Sequence, residues 1–340
     1  MKILGIETSC DETAAAVVED GTKILSNVVV SQIDIFAEYG GVIPEVAARS
    51  HLEVIMPVIE KALKDAECEW SDIDAIAVTH APGLLGSLLI GTLVARTLAI
   101  LHHKPLYAVH HLKSHVYANW LSNQVPEFPL LALVISGGHT QILYMKAHND
   151  FKIIGTTRDD AIGECFDKIA KIIGLPYPGG PSIAKAAKNG DPSKYKFPHP
   201  QVENLDFSFS GLKTAVLRAV QKELNLPISH PSHDLKNHLS GQQVNDFAAS
   251  FQKTAVDILL EKLKKARELY PELQSVVVAG GVSANRELRN ALEEAYFPEP
   301  KFSGDNGAMV AAAAYYEIKS GIKPTDPYKL NIYPRISIES

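Results

Sequence analysis

The chain has 340 residues, of which 46% are hydrophobic and 21% charged, a composition typical of a globular protein large enough for two domains. Its formal net charge is −6, which excludes a strongly basic nucleic-acid binder, so a nucleic-acid substrate would require a local basic patch or a partner. Neither a membrane-spanning apolar run nor a secretion signal is recognisable, and the cysteines Cys10, Cys68 and Cys165 form no CxxC pair, which predicts reduced thiols in a cytosolic protein.

Two segments of the chain repeat one pattern of strands and turns. Segments 2–30 and 130–157 each predict a strand, a polar or glycine-rich turn, a second strand, another turn and a third strand. A strand, a turn and a helix are then predicted over 74–101 and again over 275–295. The chain therefore repeats one plan, in which an antiparallel meander precedes helices and a parallel strand with its helix.

This repeat predicts an α/β fold of two similar domains with a ligand-binding cleft between them. Pro126 and Pro129 mark the break between the halves. The first domain is predicted over 1–125, completed by the C-terminal segment 306–325, and the second over 130–304. The C-terminal segment begins with polar capping residues and continues as an alanine-rich helix to about Lys319.

The first turn, "ETSCDET", carries two adjacent carboxylates, Asp11 and Glu12. They are either an ordinary solvated turn or a pair that faces the cleft and handles a metal, water or a proton. The residues alone leave both interpretations open.

The stretch "HHLKSH" places His111 and His115 one helical turn apart, so that both can bind one metal ion. Because the chain has 13 histidines, such a pair is weak evidence by itself. Leu112 stands where a zinc protease of the HExxH type has its glutamate, which disfavours a protease. A third ligand must come from elsewhere, and Asp305 is a candidate by type, although the residues alone favour its interpretation as an N-cap of the last helix.

Three glycine-rich turns can approach a phosphate with their backbone amides: "SGGHT" at 136–140, "YPGGPS" at 177–182 and "AGGVSAN" at 279–285. Each alone is more often a plain turn, but three of them beside a duplicated meander favour a nucleotide cleft. Asp167, in the predicted helix of "GECFDK", is by itself typical of a surface carboxylate.

Taken together, these motifs resemble the tRNA N6-adenosine threonylcarbamoyltransferase (TsaD) family over nearly the whole chain. The resemblance is carried by nine stretches in order: "GIETSCDETAAAVV", "YGGVIPEVAARSH", "APGLLGSLLIGTLVAR", "HHLKSHVYANWL", "VISGGHTQI", "GECFDKIAKIIGLPYPGGPSIAK", "FSFSGLKTAV", "AGGVSANRELR" and "DNGAMVAAAA". It implies the fold shared by actin, sugar kinases and heat-shock ATPases (ASKHA). It also implies transfer of the threonylcarbamoyl group from threonylcarbamoyl-AMP to the N6 amine of the adenosine beside the anticodon, with release of AMP.

The resemblance also implies roles for individual residues. His111, His115 and Asp305 would bind one divalent metal ion, Fe²⁺ or Zn²⁺, and His110 would be a dispensable neighbour. The phosphate and carbamoyl group would contact Val134, Ile135, Ser136, Gly137 and Gly138. The adenosine would be held by Asp167, Gly180 and Asn285. Asp11 and Glu12 match the family's acidic pair, to which the resemblance gives no settled role, and our own mechanistic hypothesis is that one of them accepts the proton of the amine.

Two positions depart from parts of the family. Val134 stands where the archaeal and eukaryotic branch has a metal-binding tyrosine, so the chain resembles the bacterial branch and its metal should keep more open positions. Ala184 stands where some relatives have an aspartate that reaches the ribose, so that contact is in doubt here.

The implied partners are tRNA, threonylcarbamoyl-AMP and the synthase that makes it, a small paralogue (TsaB-like) and an ATPase subunit (TsaE-like), without a membrane. The alternatives are an ATP-dependent kinase of the same fold, a metalloprotease and a non-catalytic scaffold. No sugar pocket is specified by the sequence, and the family's degenerate scaffolds lack the histidine pair that this chain keeps.

Overall fold

The computed structural model describes residues 1–122, 125–200 and 202–339. Its strands form two mixed sheets, one in the order β3-β2-β1-β4-β5 and the other in the order β8-β7-β6-β9. The strands are β1 (Lys2–Glu7), β2 (Glu12–Glu19), β3 (Lys23–Ser31), β4 (Ala75–Ala81), β5 (Leu106–His110), β6 (Leu130–Ile135), β7 (Thr140–Met145), β8 (Phe151–Thr156) and β9 (Ser275–Ala279).

Helices cover both sheets and connect their strands. They are α1 (Ile33–Tyr39), α2 (Pro44–Asp65), α3 (Leu85–Leu101), α4 (His111–Tyr117), α5 (Ile162–Ile173), α6 (Gly179–Ala187), α7 (Ser210–Glu223), α8 (Gly241–Leu269), α9 (Arg286–Ala291) and α10 (Gly307–Lys319).

The two sheets follow the same plan, as the sequence predicts. In each, an antiparallel meander is extended by a parallel strand, β4 beside β1 and β9 beside β6. The second strand–turn–helix unit is less regular than predicted, because a short 3-10 turn (Gly281–Ala284) separates β9 from the six-residue helix α9. Residues 188–200 and 202–205 contain no helix or strand and form a loop after α6.

Helix α10 shares one buried cluster with residues of both sheets, including Ile3 and Ala77 of the first and Ala132 and Val277 of the second. Small residues allow this close approach, since a side chain on Gly5 or Gly307 would collide with the facing main chain. The helix ends at Lys319, as predicted, and Gly321 then takes a left-handed φ of 82° that breaks the helical path. The packing fixes the position of the turn just before α10, which carries Asp305.

No helix of the described residues is long and apolar enough to span a membrane. The three cysteines are free thiols, with Cys68 and Cys165 buried and Cys10 partly exposed.

Candidate metal centre

Two imidazoles and one carboxylate converge between the start of α4 and the turn before α10. His115 Nε2 lies 3.1 Å from Asp305 Oδ1, and His111 Nε2 lies 3.7 Å from the same oxygen. The two rings meet edge to face at a centroid distance of 4.5 Å, one turn apart on α4. The structure therefore brings together three residues that are up to 194 positions apart in the sequence.

The start of α4 is fixed by His110, whose Nδ1 accepts a hydrogen bond from the Leu112 amide at 3.2 Å. Burial lowers the pKa of His110 to about 3, so the ring stays neutral and can accept this bond. His110 is a buried capping residue of α4, and its role as a dispensable neighbour of the metal-binding pair stays a prediction.

Asp305 is not the cap of the last helix. Asn306 is, because its side chain accepts the Met309 amide at 3.0 Å. The capping interpretation of Asp305 is therefore wrong, and its carboxylate is free to face the histidines.

The chemistry of these donors fits a metal ion. His115 is 1% exposed, yet neither of its ring nitrogens has a hydrogen-bond partner among the described residues. His115 Nε2 lies 3.1 Å from Asp305 Oδ1, but the contact does not have the geometry of a hydrogen bond. A buried nitrogen without a partner is costly unless something else binds it. Two imidazoles and one carboxylate are a common donor set for zinc and for non-haem iron.

A second carboxylate, that of Glu7, contacts His111 at Nδ1, the ring nitrogen that is not near Asp305. Glu7 Oε2 lies 3.1 Å from His111 Nδ1 and accepts the Thr79 hydroxyl at 2.6 Å, while Glu7 Oε1 accepts the Ser9 amide at 2.5 Å. When a metal displaces the proton on Nε2 of His111, the proton that stays on Nδ1 is donated to Glu7, and Nε2 has a lone pair facing Asp305. Glu7 was not predicted as a site residue, although a carboxylate that ends an apolar strand is a visible signal.

The opposite charges of the carboxylates and the histidines shift each other's pKa values toward the ionised forms. Burial alone would lower the pKa of His111, but Asp305 and Glu7 outweigh it and raise that pKa to about 9. Burial would raise the pKa of Asp305, yet His111 and His115 hold it at about 2. Asp305 is therefore ionised at neutral pH, the form in which a carboxylate binds a metal.

The first turn faces the same centre. Burial, Asp305 and Asp11 raise the pKa of Glu12 to about 10, and the Ser31 hydroxyl donates to its Oε1 at 3.3 Å. The turn is anchored from behind by His51, whose Nε2 donates to the Cys10 carbonyl at 2.9 Å. Asp11 and Glu12 thus belong to the cleft rather than to an ordinary solvated turn.

The "SGG" turn lies beside the histidines and packs on the start of α5, where a side chain on Gly163 would strike Ser136 and Gly137. Gly137 and Gly138 are exposed, and their amides donate no hydrogen bond within the described part of the chain. The side chains of Val134 and Ile135 are fully buried in the core, so at most their backbone could meet a ligand.

His139, at the end of this turn, is a further residue that the sequence analysis did not single out. Burial, followed by the nearby His111 and His115, lowers the pKa of His139 to about 4. The signal was present, since His139 lies within the "SGGHT" motif itself.

Asp167 and Gly180 meet where α5 approaches α6. Asp167 Oδ1 accepts a hydrogen bond from the Gly179 amide at 2.6 Å and so holds the first residue of α6. The next residue, Gly180, has open space where a side chain would stand. Burial raises the pKa of Asp167, and the charge of Asp11 across the cleft adds to this effect. Asp167 is half-buried, and its interpretation as a surface carboxylate is wrong. Ala184 lies one turn further along α6, partly exposed.

Asn285 has structural bonds of its own. Its Oδ1 accepts the Leu288 amide at 3.2 Å and so caps α9, and its Nδ2 donates to Gln252 at 2.8 Å. One N–H and one lone pair of the amide remain for a ligand.

Comparison with known proteins identifies close relatives. The family model for "tRNA N6-adenosine threonylcarbamoyltransferase" (TsaD) matches residues 23–312. A relative of that name from Halalkalibacterium halodurans is 49% identical, covering 93% of this chain and 91% of its own. Another from Caldicellulosiruptor saccharolyticus is 45% identical over 100% and 99% of the two chains.

Solved structures with much lower identity share the fold. HypF of T. kodakarensis has a TM-score of 0.58 at 14% identity, covering 94% of this chain and 48% of that one. Component A of the Acidaminococcus fermentans (R)-2-hydroxyglutaryl-CoA dehydratase has a TM-score of 0.51 at 15% identity, covering 94% and 99%. These similarities confirm the predicted ASKHA fold and show nothing beyond it.

Proposed function

The chain belongs to the tRNA N6-adenosine threonylcarbamoyltransferase family, and we propose that it performs this transfer at a metal centre held by His111, His115 and Asp305. The donor is threonylcarbamoyl-AMP, the acceptor is the N6 amine of the adenosine beside the anticodon in tRNAs that read codons beginning with A, and AMP is released. The observation that carries the proposal is His115, a buried imidazole without a hydrogen-bond partner that faces an ionised carboxylate.

The metal is a divalent ion, Fe²⁺ first and Zn²⁺ second, because imidazole and carboxylate ligands suit both. When bound, it supplies a Lewis acid and a fixed point for the threonylcarbamoyl end of the donor. Val134 is an apolar core residue, which supports a centre with only three protein ligands.

The backbone amides of Gly137 and Gly138 act on the other end of the reacting group, whereas the Ser136 amide already donates to the His139 carbonyl at 2.9 Å. Free amides at an exposed turn can bind the phosphate of AMP or the oxyanion that develops on the carbamoyl carbon. The absence of competing hydrogen bonds from the Gly137 and Gly138 amides within the described chain supports this role.

The adenosine of the donor lies toward α6 and α9. The second carboxylate oxygen of Asp167, the open backbone of Gly180 and the remaining N–H of Asn285 are its contacts. Ala184 has no group to reach the ribose, so the ribose depends on Asp167.

The amine must lose a proton when the new bond forms. A Glu12 that is protonated at neutral pH can donate a proton but cannot accept one. Asp11 is therefore the member of the acidic pair that we assign to the amine proton.

A basic stretch near the cleft gives the acidic chain a surface for tRNA. We define it as Lys185, Lys188, Lys194 and Lys196, all exposed and none in an ion pair with a described residue. Lys185 lies on α6, the helix that begins at Gly179 beside Asp167, and the other three lysines follow this helix, so we place the phosphate backbone of the tRNA on this surface.

An apolar face on α2 and α3 supports the small paralogue as a partner. Leu85, Leu89 and Leu93 repeat every four residues along α3 and are 58%, 50% and 49% exposed, and Leu52 and Met56 of the adjacent α2 extend the face. Such a patch is typical of a protein interface. The ATPase subunit and the upstream synthase complete the proposed set of partners.

We retain the division into domains 1–125 with 306–325, and 130–304, as part of the proposal. The three free thiols suit the reducing cytoplasm, which is the location that we propose.

The experiment is a transfer assay with purified chain, the small paralogue and ATPase partners, synthetic threonylcarbamoyl-AMP and unmodified tRNA. We expect N6-threonylcarbamoyladenosine in the tRNA and one AMP per modification. If the protein instead transferred the γ-phosphate of ATP to a small acceptor and left the tRNA unmodified, the kinase alternative would replace this proposal.

A further inference from the structure

A second group of metal-ligating side chains lies in the segment between α7 and α8. His230 Nε2 and His238 Nε2 both contact Asp234 Oδ2, at 2.8 Å and 3.0 Å. The three ligand atoms lie within 4.8 Å of one another. The donor set, two imidazoles and one carboxylate, is the same as at the candidate centre.

The chain holds these three residues in place. Leu235 is fully buried in the core beneath them, and a 3-10 turn over Leu235–Asn237 brings His230, Asp234 and His238, spaced four residues apart, to one side. The Gln221 side chain donates to the His230 carbonyl at 3.2 Å. Hydrogen bonds therefore hold the backbone at His230, through its carbonyl, and at His238, whose amide donates to the Leu235 carbonyl.

The carboxylate is also oriented. Asn237 Nδ2 donates to Asp234 Oδ1 at 2.9 Å, which turns Oδ2 toward the two rings. Such an outer bond is the usual support of a metal-binding carboxylate. Neither Nδ1 of the two rings has a protein partner within the described residues, so each ring can move its proton to Nδ1 and free Nε2 for a metal.

The cluster is separate from the candidate centre. Lys236 packs on Gly174 at the C-terminal end of α5, whereas Gly163 at the other end packs on the "SGG" turn. Twelve helical residues correspond to about 18 Å. The two sites therefore do not share ligands.

We propose that His230, Asp234 and His238 form a second metal site, which takes a zinc ion and clamps the segment between α7 and α8. Two imidazole nitrogens favour zinc over magnesium or calcium, which prefer oxygen ligands. The partly exposed position leaves room for water as the fourth ligand. This inference does not rest on the proposed function.

The test counts zinc ions bound by the full chain after chelation, reloading with Zn²⁺ and desalting. We expect two per chain for the wild type, one for His230→Ala/His238→Ala and one for His111→Ala/His115→Ala. His233→Ala is the matched control, because this exposed histidine lies in the same segment outside the cluster, and it should retain two.

A second readout separates ligation from misfolding. Zinc should raise the melting temperature of His111→Ala/His115→Ala. It should leave unchanged the melting temperature of the variant that combines these two substitutions with His230→Ala and His238→Ala. Asp234→Asn should bind zinc at the second site at least tenfold more weakly than the wild type. The proposal is overturned if His230→Ala/His238→Ala binds as many zinc ions as the wild type, or if His233→Ala loses as much zinc as that variant does.

Discussion

Glu7 shows how one buried carboxylate determines what a neighbouring histidine can bind. It is fully buried, and three donors converge on it: the Ser9 amide, the Thr79 hydroxyl and the ring of His111. A carboxylate in this position fixes the tautomer of a metal-binding imidazole and raises its basicity. Glu7 therefore acts through His111 and is a positioning residue.

We predict that Glu7→Gln weakens metal binding by about 10- to 100-fold, because an amide cannot hold the Nδ1 proton as a carboxylate does. Titration calorimetry of the metal-free chain measures this. Thr79→Val, which keeps the Glu7 carboxylate and removes one of its hydrogen-bond donors, should weaken metal binding less. Glu19→Gln, at the C-terminal end of the neighbouring strand β2 and away from the histidines, should not change metal binding. Unchanged affinity in Glu7→Gln would show that metal binding by His111 does not depend on the Glu7 carboxylate, since the Ser9 hydroxyl also lies 3.1 Å from His111 Nδ1.

At this scale the sequence predicts ligands better than their surroundings. The pair His111 and His115 follows from helical spacing, but the third ligand depends on how α10 packs against the first sheet, which no local pattern encodes. For the same reason Asp305 and Asn306 could not be told apart as ligand and cap. Glu7 and His139 were missed because their roles arise from contacts between distant strands and helices.

At the scale of elements, α10 carries a buried acid that gives the fold a pH dependence. Glu317 is 5% exposed, and burial raises its pKa to about 7 despite the opposing effect of Lys113. Its pKa is higher in the folded than in the unfolded chain. The contribution of neutral Glu317 to the free energy of unfolding is therefore fully present below pH 4.5 and is lost as the pH rises through about 7.

We predict that Glu317→Gln raises the free energy of unfolding at pH 8 by up to about 3 kcal/mol and leaves it nearly unchanged at pH 4.5, because glutamine cannot ionise. Urea unfolding at both pH values measures the difference. Glu268→Gln, an exposed change on α8, should have little effect at either pH. Equal effects of Glu317→Gln at pH 4.5 and pH 8 would rule out a buried ionisation at this position.

The elements themselves follow closely from the sequence. Both meanders and the helices α3, α5 and α10 were predicted because alternating or periodic apolar residues end at recognisable turns. The break of the unit after β9 was not predicted, since the 3-10 turn at Gly281–Ala284 depends on Gly280, whose φ of 88° brings it against Ile135 of the adjacent strand. That contact is tertiary and leaves no periodic signal.

At the scale of the whole molecule, the two proposed surfaces serve different partners. The apolar face of α2 and α3 belongs to the first sheet's half, and the basic stretch after α6 belongs to the second. Neither follows from net composition, because an overall charge of −6 hides a local basic surface.

We predict that Leu89→Glu/Leu93→Glu weakens binding of the small paralogue at least about tenfold, because it buries charge in an apolar interface. Calorimetry with the two purified chains measures this. Leu269→Glu is the matched control, since this leucine of α8 is 65% exposed but lies outside the face. If the control and the double variant bound alike, the face would not be the interface.

We predict that replacing Lys188, Lys194 and Lys196 by alanine weakens tRNA binding and reduces the slope of log affinity against log salt by roughly two to three. The control replaces Lys323 and Lys329, two exposed lysines of the C-terminal segment. A salt slope that is equal in wild type and triple variant would place the tRNA elsewhere.

The central claim is that transfer requires one metal ion held by His111, His115 and Asp305. The most direct measurement is the transfer rate of chelated protein as Fe²⁺ is added back, with metal content determined on the same samples. We expect the rate to rise with metal occupancy of these three ligands and Asp305→Ala to stay inactive at every metal concentration. Full transfer by the chelated wild type, or by Asp305→Ala, would contradict it.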